Sequence, residues 1–264
     1  AMAIRQAEWF TGVLWLKTKD QVSKVKYRIM DQKGLSLNKY ISSSGLCSRR
    51  EADEMIEQGR VYVNGKPAEK ASRVNFGDKV TVDGEVIKSK EKYVVIALNK
   101  PIGITSTTDK KDKTNIIDFI DYKDRIFPIG RLDKDSSGLI LLTNNGDLVN
   151  RILREENNHE KEYLVTVNRP IGRDVLKAMA KGRIPVHRKL TKPCKTFPVS
   201  KYGFRIILTQ GLNRQIRFMC RHFGYRVSAL HRVRIMNINI GKLKPGQWRK
   251  LSHAEMNELE RQMK

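Results

Sequence analysis

Acidic residues are scarce in this chain, and that shortage narrows its partners more than any other feature. Across 264 residues there are 28 Asp and Glu against 52 Lys and Arg, a formal net charge of +24. A surface so poor in carboxylates is an electrostatic footprint for a polyanion, with nucleic acid ahead of an anionic membrane. Long apolar runs are missing as well. None approaches the roughly 18 residues of a membrane-spanning helix, and the apolar stretch Trp9 to Leu16 has no small-residue cleavage site behind it. No membrane partner is therefore expected.

Cysteine is sparse: Cys47, Cys194 and Cys220 are odd in number and far apart. They build neither a disulfide framework nor a zinc knuckle, and they suit a reducing, cytoplasmic compartment. His159, His187, His231 and His253 lack ligand spacing, and Cys220-Arg221-His222 is too tight for a usual metal pair, so no metal site is expected. No glycine-rich fingerprint of a dinucleotide fold or a P-loop occurs. With 39% hydrophobic and 30% charged residues, the chain reads as a globular protein long enough for two domains.

What is present begins with a compact basic module. Residues 1–35 read as an N-terminal extension. Leu37 and Ile41 are four apart, a short helical face. Ser48-Arg49-Arg50-Glu51 spells a capping box, and a helix should run from it to Gln58, with Gly59 as the stop. Val61 to Lys66 reads as a strand and an Asn-Gly turn, and Val80 to Ile87 as a second hairpin. Arg49 and Arg50 stand in the first helical turn, where the macrodipole disfavours cations; a bound phosphate there would offset that cost, although simple solvation explains them too.

A charged linker, residues 88–93, precedes the second domain, expected over 94–255 with a tail at 256–264. Val94 to Leu98 is a strongly apolar strand leading into Asn99-Lys100-Pro101. Tyr163 to Val167 and Phe204 to Thr209 read as strands, Arg173 to Lys181 and Arg214 to Cys220 as helices. Helices and strands interleave irregularly, which predicts an α+β fold.

The chemistry concentrates in Gly130-Arg131-Leu132-Asp133-Lys134-Asp135-Ser136-Ser137-Gly138-Leu139. A carboxylate beside cations at the entrance of a strand suits a nucleophile or base. An aspartate before Ser-Ser-Gly can equally satisfy turn amides.

The first module resembles the S4 RNA-binding family through its Ser-Arg-Arg-Glu-Ala helix and Gly-Arg-Val-x-Val-Asn-Gly hairpin. The resemblance implies that Lys39, Arg49, Arg50 and Lys66 contact RNA backbone. Four further segments, Leu98 to Gly103, Gly130 to Leu139, Lys161 to Val165 and Gln210 to Arg217, resemble the RsuA family of bacterial rRNA pseudouridine synthases. Together the two cover residues 36–255. The wording is closest to a branch acting on 23S large-subunit rRNA.

The family implies an S4 domain at 36–87 and a catalytic domain with a mixed, mainly antiparallel β-sheet and flanking helices. It implies isomerisation of uridine to pseudouridine without a cofactor, by a monomer acting on rRNA, free or in ribosomal assembly particles. Carried over by motif, Asp133 is the catalytic aspartate, acting on the sugar as nucleophile or as base. Tyr163 stacks under the target base and Arg217 pairs with Asp133. Arg131 fills the gap left by the flipped uridine, and Asn213, Arg214 and Gln215 bind RNA. Motif position favours Asp133 over the rival carboxylate Asp135, which stands before Ser136-Ser137-Gly138 and is expected to cap the following turn. The chain departs from the family pattern at Phe218, where a second arginine would follow Arg217. A non-catalytic ribosome assembly factor, or a synthase acting on 16S rRNA or tRNA, are the competing readings.

Overall fold

The structure is a computed structural model that describes residues 34–88 and 93–263. The expected extension at 1–35 and the expected linker at 88–93 thus lie largely outside the described residues. The chain divides into two compact units, 1–90 and 91–264.

In the first unit β1 (Leu35–Ser36) leads into α1 (Leu37–Ser43), followed by α2 (Arg49–Glu57). Both halves of the capping box at Ser48 and Glu51 are formed, so the helix starts where its sequence says. Gly59, with φ of 71°, ends it. Then come β2 (Val61–Val63), β3 (Lys66–Pro67), β4 (Arg73–Val74), β5 (Val80–Val82) and β6 (Glu85–Ile87). The sheet order is β3-β2-β5-β6, and β1 pairs with β4. Its two tight turns, Asn64-Gly65 and Asp83-Gly84, have positive φ at both residues (53° and 78°, 51° and 84°), the geometry that matches hairpin twist. Leu37, Ile41, Ala52, Ile56, Val61 and Val80 form the buried centre.

The second unit contains β7 (Val95–Lys100), α3 (Ile116–Ile120), β8 (Phe127–Ile129), β9 (Ser137–Thr143), α4 (Gly146–Leu153), β10 (Lys161–Val167) and α5 (Arg173–Ala180). It continues with β11 (Pro185–Val186), β12 (Lys189–Leu190), β13 (Lys195–Ser200), β14 (Gly203–Leu208), α6 (Gln215–His222), β15 (Val227–Ile235), β16 (Ile238–Asn239), β17 (Trp248–Lys250) and α7 (His253–Gln262). One sheet runs β13-β14-β10-β15-β9-β7-β17, with β16 and β8 attached to β15 and β9. Every pairing in it is antiparallel except β15 with β9. The α+β class and the mixed, mainly antiparallel sheet agree with the expectation.

The lone parallel pairing joins two differently built halves. In β7 and β9 the apolar run is continuous because both faces are covered. Val95, Ala97, Leu139 and Leu141 face one core, and Ile96, Leu98, Ile140 and Leu142 face the other. On β10, by contrast, Val165 and Val167 are buried under α5 and α6, while Leu164 and Thr166 are exposed. Tyr163 packs against both the α5–α6 core and the outer β7–β9 core.

The expected tail at 256–264 is instead mostly helix α7. Ser252 and Glu255 form a second capping box, and Leu259 is fully buried in the β7–β9 core. Met256 and Met263 pack against the same core, and these contacts fix the segment as helix.

Candidate active site

The loop from Gly130 to Ser136 enters β9 at the parallel junction. Gly138 makes that junction possible. Its φ is 108°, and a Cβ there would lie 2.3 Å from the Arg232 carbonyl oxygen, so only glycine lets the two strands approach. Behind the loop, the Ser106 hydroxyl donates to the Leu132 carbonyl (2.8 Å) and accepts from the Leu132 amide (3.2 Å). The Gly103 amide donates to the Lys134 carbonyl at 2.9 Å, and the Ser136 amide to the Asp133 carbonyl at 3.0 Å. The backbone on both sides of Asp133 is thereby held from segment 103–106, while the Asp133 side chain is 28% exposed.

Two arginines reach this loop from α6. Arg214 precedes the helix with φ of 50°, so the helix begins one residue later than its sequence suggests. Its guanidinium makes two bonds to Asp135 (3.2 and 3.1 Å) and lies 3.5 Å from Asp133. Arg217, 14% exposed, donates from Nη2 to the Asp135 carbonyl and to Ser136 Oγ, both at 3.0 Å. Its Nε lies 3.9 Å from Asp133 Oδ2 and has no hydrogen-bond partner despite burial.

The expected Arg217–Asp133 pair is therefore present but loose. The expected turn-capping role of Asp135 is corrected: its carboxylate is held by Arg214 and Arg217. Partial burial pushes the Asp135 carboxyl up, yet the Arg214 bonds and both guanidinium charges outweigh it and hold it below the usual range.

Arg131 is exposed beside this centre, as is Asn213. Gln215 is not available to RNA. It is 4% exposed, accepts from the Leu212 amide at 3.0 Å and donates to Gln210 at 3.3 Å, so it braces the turn before α6. Phe218, the departure from the family pattern, packs edge-on against His187 with centroids 4.6 Å apart and lies beneath Arg221. In the first unit Arg49, Arg50 and Lys66 are exposed and Lys39 is half-buried.

Three groups without an expected role border the site: Lys100, Ser106 and Arg232. Lys100 is fully buried and donates to the carbonyls of Pro101 and Ile104, both at 2.8 Å. Burial pulls its pKa down to about 8, against the opposing pull of Asp133 and Asp135. Its signal was the lysine of Asn99-Lys100-Pro101 at the end of an all-apolar strand. Arg232 is 4% exposed, and its signal was an arginine on the Leu230 face of β15. Ser106 carried no signal.

The loop beside the junction sets an aspartate against two arginines, and comparison with known proteins gives the class of the chain. Residues 94–222 match the RNA pseudouridylate synthase family and residues 35–80 the S4 domain. A solved pseudouridylate synthase structure matches with TM-score 0.64 at 29% identity, covering 86% of this chain and all of that one. The chain is 53% identical over 233 residues to the dual-specificity RNA pseudouridine synthase RluF of Escherichia coli K12, covering 88% of this chain and 80% of the relative. The ribosomal large subunit pseudouridine synthase B of Bacillus subtilis is 35% identical over 232 residues, 84% of this chain and 94% of that protein.

The chain belongs to the RNA pseudouridine synthases and is an enzyme of that kind. Within them its place is the RluF branch of the RsuA family, with an S4 domain ahead of the synthase domain.

Proposed function

We propose that this enzyme isomerises a specific uridine of 23S rRNA, with Asp133 as the catalytic carboxylate. The observation that supports this reading is the approach of Arg217 to Asp133 on the loop entering β9, with Tyr163 on β10 packed against the two neighbouring cores. Asp133 acts at the sugar, by bonding to C1′ or by taking the C2′ proton. In both routes the C1′–N1 pair leaves with the base. The base turns, C5 bonds to C1′, and the C5 hydrogen is lost. Arg217 holds its guanidinium beside the Asp133 carboxylate, where it can orient that side chain toward the sugar. Tyr163 stacks under the extruded base and Arg131 fills the vacated stack.

In this reading Lys39, Arg49, Arg50 and Lys66 of the S4 domain hold RNA backbone, joined by Asn213 and Arg214 beside the catalytic loop. Such contacts position the RNA without reading its sequence. The enzyme works as a monomer in the cytoplasm, on free rRNA or on an assembly particle. The test is tritium release from [5-³H]uridine-labelled 23S rRNA, 16S rRNA and tRNA in parallel. Release from 23S rRNA is expected. Release only from 16S rRNA or tRNA would overturn the substrate assignment, and a second substrate beside 23S rRNA would match the dual specificity in the name of the Escherichia coli relative.

A further inference from the structure

Arg232 is an arginine where a core residue belongs. It shares the buried face of β15 with Leu230, and it makes no ion pair among the described residues. Nε donates to the Leu139 carbonyl at 2.6 Å and Nη1 reaches the Arg131 carbonyl at 3.5 Å. Nη2 is buried and has no partner. The guanidinium carbon stands 5.9 Å from the centroid of the Tyr163 ring, its cross-strand neighbour. The Gly138 approach locks its backbone in place.

A buried cation without a carboxylate is strongly disfavoured unless something nearby offsets it. Two lysines feel its charge as well, although Asp133 and Asp135 oppose that effect on Lys100 and Glu155 opposes it on Lys161. The charge of Arg232 works against protonation of both Lys100 and Lys161, adding to the larger effect of burial on each. A fold that only needed to fill this position would use an apolar side chain like Leu230.

We propose that Arg232 is a positioning residue that fixes the Tyr163 ring and directs uncompensated positive charge at the base stacked on it, so that uracil departs as an anion. This rests on the assignment of Asp133 and Tyr163 above. The electron balance gives the reason. When the C1′–N1 bond breaks, its pair goes to N1 and spreads over the uracil carbonyls, whether C1′ bonds to Asp133 or the C2′ proton moves to Asp133 to leave a C1′=C2′ double bond. The anion is transient, because its charge is consumed when C5 bonds to C1′. A charge fixed in a dry place before the reaction stabilises such a species without reorganising. A ring face is a suitable relay, since cations within about 6 Å of its centre interact favourably with it.

The test follows cleavage of the target C1′–N1 bond under single turnover, read as loss of the original nucleoside after nuclease digestion and chromatography, in RNA carrying uridine or 5-fluorouridine; the fluorinated base has no C5 hydrogen to lose, so only the cleavage step is compared. Wild type, Arg232→Gln, Arg232→Lys and Asp133→Ala are compared, with RNA affinity and thermal unfolding recorded for each. Arg232→Gln is expected to slow uridine conversion about 10- to 100-fold at unchanged RNA affinity. The defect should shrink on 5-fluorouridine, because fluorine itself stabilises the departing anion. Arg232→Lys, which keeps the charge, should recover most of the rate. If Arg232→Gln does not fold, the Lys variant alone decides: a modest loss on uridine that shrinks on 5-fluorouridine supports the proposal. Equal losses on both RNAs, equal losses for Gln and Lys, or no loss would overturn it. Turnover by Asp133→Ala would instead break the underlying site assignment.

Discussion

Two groups of arginines and carboxylates in the second unit are built in opposite ways. In the group on β10, β14 and β15, Arg234 uses every nitrogen: Nε to Glu162 at 2.8 Å, Nη2 to Glu160 at 2.9 Å and Nη1 to the Met236 carbonyl at 2.7 Å. Lys195 and Arg205 add further pairs to the same carboxylates at 2.9 and 3.3 Å. In the group proposed to be catalytic, Asp133 has its cations at 3.5 and 3.9 Å, and Arg217 keeps a buried nitrogen unpaired. Saturated pairing holds a sheet together. Unfinished pairing leaves donors and a carboxylate for a substrate to complete, as catalytic hydrogen bonds often tighten only in the complex.

Mutations can break or sharpen this contrast. The largest expected effect is at Asp133: Asp133→Ala should lower single-turnover rate by at least about 10³-fold with thermal stability and RNA affinity near wild type. Next comes Glu162→Gln, which leaves Arg234 and Arg205 short of a charged partner. It should lower unfolding free energy by about 1–3 kcal/mol in urea titration while activity stays within a few-fold; an activity loss matching Asp133→Ala would erase the distinction.

A smaller effect is expected from Lys100, through pH. Its pKa falls from 10.5 to about 8 on folding. The unfolded chain therefore binds more protons between those values, and stability rises with pH across that window. Relative to Lys100→Met, wild type should gain about 1–2 kcal/mol from pH 8 to 10. A constant difference in urea midpoints over that range would contradict the buried-charge account. Least affected is Asp135→Asn. With the carboxylate 51% exposed, its pair with Arg214 is worth about 1 kcal/mol or less, and the rate should fall no more than about 5-fold.

Local signals in the sequence were strong where geometry is local. The Ser48 capping box, the Asn64-Gly65 and Asp83-Gly84 turns and the alternation in β10 all appear in place, because each depends on a few adjacent residues. Asp133, Tyr163 and Arg217 came from motif order rather than from spacing, and the strands that carry this region meet at the β15–β9 junction, a contact between residues 94 apart in the Ser137–His231 hydrogen bond. Non-local packing explains what was missed. Ser106 is one hydroxyl in a polar loop until Leu132 folds against it. Gln215 was expected to bind RNA and is instead buried, bonded to Gln210 and the Leu212 amide. Arg232 drew no expectation, because its burial depends on the Gly138 approach of β9.

The central claim, that Asp133 and not its better-paired neighbour Asp135 performs the chemistry, is tested most directly by tritium release. Wild type, Asp133→Ala and Asp135→Ala would be compared on [5-³H]uridine-labelled 23S rRNA under single turnover. Full release by wild type, none by Asp133→Ala and substantial release by Asp135→Ala is the expected result. Release by Asp133→Ala with none by Asp135→Ala would contradict the assignment and move the reaction to the neighbouring carboxylate.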